Sequence, residues 1–197
     1  AQIDGIGVTG QMHGMVLLGR DGKPLTPFIN WQDQRCEEQD ADGAKTMELF
    51  RRAAGPDGLA RTGCVPATGY MAATLYWMKK HNDDRLRAPG SQAAFIMDVL
   101  VSRLTGMPPL TDPTNAGAAG VFDVAARRWD EELIGRLELP LRLFPPVRSS
   151  GSIAGPLGRD AAARLGLREG TPVAVACGDN QAGFLGSVRN PRETALV

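Results

Sequence analysis

Residues 171–178, TPVAVACG, form a short run of small and β-branched apolar side chains that stops on a glycine, and Asp179 then opens DNQAGFLGSV with helical character. A buried strand passing directly into a helix constrains the chain more than any other feature, because such strands belong to sheets covered by helices. The same alternation recurs upstream. IDGIGVTG reads as a buried strand, GMVLLGRDGKPL as a hairpin turning at Arg20-Asp21-Gly22-Lys23, and PFINWQD as a further extended piece. A helix is predicted from Gln34 to about Ala54, ended by Gly55-Pro56, then helices over Met71–Lys80 and Ala93–Leu104, the latter an apolar core helix with one acid, Asp98.

The stretch LTDPTNAGAAGVFDV reads as a small-residue loop followed by a strand from Val121 to Val124. Asp130 has the side chain and position of an N-cap for DEELIGRLEL, with Glu131 and Glu132 in the first turn, where the helix dipole favours acids. Residues 140–158 read as extended, Arg159–Leu165 as a short helix, and the closing ETALV as the start of another strand. The expected class is therefore α/β. The absence of a cap or a starting Met at either end suggests an internal segment of something longer.

Composition excludes several partners. With 22 basic and 22 acidic side chains among 197 residues, the chain carries no electrostatic footprint for nucleic acid or an anionic membrane, and a small molecule is the expected partner. No apolar run approaches the roughly 20 residues of a membrane span, and AQIDGIGVTG lacks the regions of a secretory signal, so a cytoplasmic location is expected. Cys36, Cys64 and Cys177 lie far apart with no CxxC, which points to reduced structural thiols rather than disulfides or a zinc site.

Three motifs carry chemistry. Gly5, Gly7 and Gly10 match G-x-G-x-x-G to the letter, but the dinucleotide fingerprint requires a helix immediately after the turn and an acid about 20 residues on. Here QMHGMVLL continues as a hairpin, and Asp21 is too early. The small residues are instead expected to let a buried strand pack closely, with Gly10 turning the chain so that Gln11, Met12 and His13 project at the strand's carboxyl end, where open α/β sheets hold ligands. His13 has no second His or Cys at ligand spacing, so no metal is assigned to it.

The second motif, Asn30-Trp31-Gln32-Asp33-Gln34-Arg35, has two readings. Asp33 can be an N-cap with Trp31 in the core, or amides and carboxylate can line a pocket for a polyhydroxylated ligand, since such groups pair with sugar hydroxyls. The third is ACGDNQAG. Asp179 can be a simple N-cap, or a carboxylate at a pocket mouth that accepts a proton from a substrate hydroxyl, the general-base role in phosphoryl transfer.

Taken in order, GVTGQMHGMVLL, NWQDQRC, ATGYMAATLYWMKKH, DPTNAGAAGVFDVAARRWD, GSIAGPLG and ACGDNQAGFLGSV resemble the FGGY family of carbohydrate kinases over essentially the whole chain, and its xylulokinases and sedoheptulokinases most closely. The resemblance implies a ribonuclease-H-like fold of the actin and sugar-kinase type, a mixed sheet flanked by helices. It also implies ATP- and magnesium-dependent phosphorylation of a terminal hydroxyl of a ketose, a pentulose or heptulose, with a homodimer compatible. By the resemblance Asp179 is the catalytic base, Met12 and His13 are the sugar-contacting pair and Asn180 is the neighbour of the base. Trp31, Asp33 and Arg35 match a motif beside the pocket, and the Met-His pair separates the chain from glycerol kinases, which carry Arg-Glu there.

The family's Asp-x-Gly-Thr hairpin and its second phosphate motif are not found in the sequence. Residues 1–197 are thus expected to be the sugar-binding N-terminal domain lacking its first strands, without the nucleotide-binding domain and unable to turn over ATP alone. Magnesium is expected to be held mostly by residues outside the chain. The rival readings are a non-catalytic sugar-sensing protein of the same fold and a nicotinamide-dependent dehydrogenase, against which QMHGMVLL speaks.

Overall fold

The computed structural model describes residues 3–40 and 43–190. In chain order the elements are β1 (Thr9–Gly10), β2 (Val16–Leu18), α1 (Thr46–Thr62), α2 (Met71–Lys80), β3 (Gln92–Ala94), α3 (Ile96–Thr105), α4 (Pro113–Gly117), β4 (Phe122–Asp123), β5 (Arg128–Trp129), α5 (Glu131–Arg136), β6 (Ile153–Pro156), α6 (Arg159–Leu165), β7 (Pro172–Ala174), β8 (Cys177–Gly178) and α7 (Asp179–Ser187).

The architecture is mixed α/β, as the alternation of patterns requires. β1 runs parallel to β8 with Thr9 opposite Cys177 and Gly10 opposite Gly178, and Ile6 bridges Val173 in the same sense. β6 pairs antiparallel with β7, so the strands around TPVAVACG form a mixed sheet, and α3 packs against β1, β6 and β7. A second unit joins β2 and β3 antiparallel, and the hairpin turn after β2 closes where Gly19 N–H donates to the Lys23 carbonyl at 2.9 Å. Phe50 of α1, Met71, Leu75 and Met78 of α2 and Leu133 of α5 are fully buried and form the centre of the core. Burial of each such side chain contributes about 1.5–3 kcal/mol.

Several expectations change in detail. The helix predicted over Gln34–Ala54 is a single 3-10 turn at Arg35–Glu37 followed, after a stretch that includes undescribed residues 41 and 42, by α1. Gly55-Pro56 does break the helix, with Gly55 at φ 70°, ψ 161°, but Pro56 starts a second helical stretch running to Thr62. Proline suits that position because the amide it lacks would have had no helical partner. The helix expected from Ala93 begins at Ile96, because Gln92–Ala94 pairs with β2. Asp112 and Pro113 open a short helix inside the expected loop, and the strand expected over Val121–Val124 is β4 alone, closed by β5.

IDGIGVTG is not buried throughout. Asp4, Gly5, Gly7 and Thr9 are exposed, and a Cβ at Gly7 would meet nothing within 4 Å, whereas one at Gly10 would touch Met97 at 3.4 Å. The strand expected over ETALV lies outside the described residues. Among the described residues no helix is long and apolar enough to cross a membrane.

Candidate active site

No helix follows GIGVTG; the next element is β2, so the dinucleotide reading has no structural counterpart here. The parallel pairing of β1 with β8 brings two motifs 168 residues apart to one place, marked by the Thr9 hydroxyl donating to the Cys177 carbonyl at 3.0 Å. Beyond Gly10 the chain gives Gln11, Met12 and His13; beyond Gly178, in register with Gly10, it gives Asp179 and Asn180. Both segments leave at the carboxyl ends of their strands, the place where open α/β sheets bind ligands.

The turn is made at a different position from the expected one. Gly10 stays in the strand, and the chain reverses at His13 (φ 62°) and Gly14 (φ 71°). A left-handed conformation is uncommon for a residue with a side chain and costs about 1 kcal/mol or more, so His13 is held there by its surroundings. Its Nδ1 lies 3.0 Å from the Ala118 carbonyl, and its ring stacks on Tyr70 with centroids 4.0 Å apart. A carbonyl only accepts, so Nδ1 carries the proton, and in the neutral ring Nε2 is the acceptor left to a ligand.

Two glycines let three segments converge around this histidine. Gly14 N–H donates to the Gly69 carbonyl at 2.9 Å. A Cβ on Gly14 would lie 2.6 Å from the Ile29 carbonyl oxygen, and one on Gly69 2.6 Å from the Trp31 carbonyl oxygen. Backbone therefore meets backbone where His13, Asn30–Trp31 and Gly69–Tyr70 come together.

The W-x-D-x-R motif borders this cluster with its polar groups already engaged. Asp33 accepts from Arg35 through Nε at 2.7 Å and Nη2 at 2.9 Å, and also from the Arg35 backbone N–H at 3.1 Å. Arg35 lies over the Trp77 ring at 4.9 Å, and the Thr68 hydroxyl donates to the Asp33 carbonyl at 2.7 Å. The Trp31 side chain is half exposed rather than in the core, and Asp33 closes a turn two residues long instead of capping a full helix. Trp31 thus sits beside the His13 cluster, while the Asp33–Arg35 pair is turned toward α2.

Asp179 is the first residue of α7 and is exposed, and its Oδ1 accepts from Asn180 N–H at 2.8 Å. Met12 packs against the preceding residue, Gly178: a Cβ there would fall 2.7 Å from Met12 Cγ and 2.9 Å from Gln181 Oε1. Met12 and Asp179 are neighbours through Gly178, and His13 follows on the same loop. Tyr70, the Ala118 carbonyl and Gln181 belong to this neighbourhood too; each lies in one of the ordered motifs, but the sequence assigned none of them a role. Among the described residues no group of three or more His, Cys, Asp or Glu side chains could hold a metal ion, so magnesium is assigned no ligand here.

The model of the FGGY family of carbohydrate kinases, N-terminal domain, matches residues 1–186. The chain belongs to the FGGY family. It is 33% identical to the xylulose kinase of Streptomyces rubiginosus over 181 residues, covering 92% of this chain and 36% of that protein. It is 30% identical to the human sedoheptulokinase over 194 residues, covering 90% of this chain and 37% of that protein. The crystal structure of xylulose kinase from Rhodospirillum rubrum superposes with a TM-score of 0.80 at 29% identity, over 94% of this chain and 37% of that one. The chain therefore spans little more than a third of the FGGY kinases it matches, has their fold over that length, and comes from a family of sugar phosphotransferases.

Proposed function

We propose that this chain is the sugar-binding portion of an ATP-dependent ketose kinase, which transfers the γ-phosphoryl group to a terminal hydroxyl of a pentulose or heptulose. The observation that carries this is the register of β1 with β8, which gathers Met12, His13, Asp179 and Asn180 at one pair of strand ends. In this reading Met12 and the Nε2 of His13 contact the sugar, and Trp31, with the Asp33–Arg35 pair behind it, borders the pocket. Asp179 accepts the proton of the attacking hydroxyl and holds that oxygen in line with the phosphorus. Asn180 fixes the carboxylate through its backbone N–H. Such a base contributes roughly 10²–10⁴-fold, and correct placement of the hydroxyl adds to it.

ATP, with magnesium, supplies the phosphoryl group, and both are held by parts of the complete protein beyond this segment. The segment alone is accordingly inactive, and the complete enzyme works in the cytoplasm. The test is ADP release by the complete protein with MgATP and a panel of sedoheptulose, xylulose, ribulose and glycerol, with Asp179→Asn alongside. Ketose-dependent release, lowered at least about 10²-fold by the substitution while sugar binding persists, is the expected result. A folded protein that binds ATP yet releases no ADP with any sugar overturns the reading and leaves a sugar-sensing role.

A further inference from the structure

Asp179 stands on a turn that is held from outside its own helix. Cys177 N–H donates to the Val8 carbonyl across the parallel ladder, so the next amide, that of Gly178, faces the opposite side. There it donates to Oγ1 of Thr114 at 2.8 Å, a residue 64 positions earlier. The Thr114 hydroxyl in turn donates to Asp112, whose two oxygens both lie 2.8 Å away.

Asp112 is fully buried and accepts two further bonds, from Asn115 N–H at 3.0 Å and from the Ser150 hydroxyl at 2.5 Å. The Asn115 bond alone is an ordinary helix cap. The Thr114 and Ser150 bonds are not required by that cap, and they tie α4, the Ser149–Ser152 turn and the β8–α7 junction to one carboxylate. A hydroxyl that donates to a carboxylate becomes a better acceptor, so the link to Gly178 is strengthened by the one behind it. β8 is two residues long and Gly178 has no side chain, so little else within the strand holds the height of the first turn of α7.

We propose that Thr114, held by Asp112, whose carboxylate Ser150 fixes in turn, is a positioning residue for Asp179: through the Gly178 amide it sets where the carboxylate meets the substrate hydroxyl. The assignment rests on the kinase reading for the role of Asp179, while the clamp itself is independent of it. A misplacement of the order of 1 Å at a reacting group costs about 10²-fold in rate.

The experiment compares Thr114→Val, Thr114→Ser and Ser150→Ala in the complete protein by amide hydrogen exchange at Gly178–Gln181, steady-state kinetics with the preferred ketose, and melting temperature. In Thr114→Val the Gly178 amide is expected to exchange about tenfold faster. In the same variant kcat falls about 10- to 100-fold with KM for the sugar little changed, Thr114→Ser recovers both, and Ser150→Ala lies between. Unchanged Gly178 exchange in Thr114→Val overturns the clamp whatever the activity. Faster exchange with the wild-type kcat, or a loss that Thr114→Ser does not recover, overturns the positioning role. A wild-type protein without ketose kinase activity sinks the functional reading and this role for Asp179 together, and the exchange data then decide only whether the clamp exists.

Discussion

Gly178→Ala tests the packing of the two strand ends directly. Gly178 has φ −65° and ψ 142°, a conformation alanine adopts freely, so the substitution carries no backbone penalty and its effect is one of contact alone. The added Cβ would lie 2.7 Å from Met12 Cγ, 2.8 Å from Met12 Sδ and 2.9 Å from Gln181 Oε1. Carbon atoms in contact prefer about 3.5–4.0 Å, so Met12 must retreat by about 1 Å. Gln181 Oε1 is the end of a flexible side chain and moves more easily. Overpacking of this kind costs about 1–3 kcal/mol, and the pliability of methionine places the stability loss at the low end. Met12 is a proposed sugar contact, so the larger effect is expected on binding: KM for the ketose rises about tenfold or more, near 1.4 kcal/mol. Gly10→Ala is the control, because its Cβ would meet Met97 at an ordinary 3.4 Å. Ketose kinetics and thermal denaturation of both variants in the complete protein give the answer. A Gly178→Ala enzyme with wild-type KM, or one no more affected than Gly10→Ala, would refute the placement of Met12 between the strand end and the sugar.

Other expectations concern stability and reactivity. Burial pushes the Asp98 carboxyl well above its ordinary value of 3.8, an effect only partly offset by Thr111 and the Phe95 backbone. An acid whose folded pKa is raised loses stability as pH rises from its unfolded value through the folded one, so Asp98→Asn is expected to raise the melting temperature at pH 8, with the gain shrinking toward pH 4. An equal gain at both pH values would contradict this. Burial alone would also raise the Asp130 carboxyl, but the Arg61 guanidinium at 2.6 Å and the Leu133 N–H together hold it below 3.8. Its contribution is present above 3.8 and lost as pH falls through the lowered value. Asp130→Asn keeps the cap but loses a pair whose arginine is about one-third exposed. It should therefore cost about 1 kcal/mol at pH 7. The gap from wild type should close as pH drops below 3.8, and a constant gap in melting temperature would show that the ion pair is not its source. Desolvation pushes the fully buried Cys36 thiol up to about 11. Only ~0.1% is thiolate at pH 8, so iodoacetamide labelling followed by mass spectrometry should find Cys36 modified only after unfolding.

What the sequence by itself determined is local. The extents of α2 and α6, the N-cap at Asp130, the hairpin at Gly19–Lys23 and the strand-to-helix junction at Gly178–Asp179 follow from periodicity, capping chemistry and turn residues, all of which act over a few positions. The ordered motifs, read together, also pointed to the FGGY family, to which the chain belongs. Where local preference met a distant competitor it gave way: Gln92–Ala94 has helical neighbours but is taken by β2, and the GIGVTG glycines lie on a strand exposed along one side. The tertiary structure alone decided that Gly10 stands opposite Gly178, that His13 is held in a left-handed turn by Tyr70 and Ala118, that Arg35 lies over Trp77, and that Thr114 holds the Gly178 amide. The physical reason is the same in each case. These contacts join residues tens to more than a hundred positions apart, and a pairing at that range is set by how sheet, helix and glycine-thinned backbone pack together, which leaves no pattern in any one stretch of sequence.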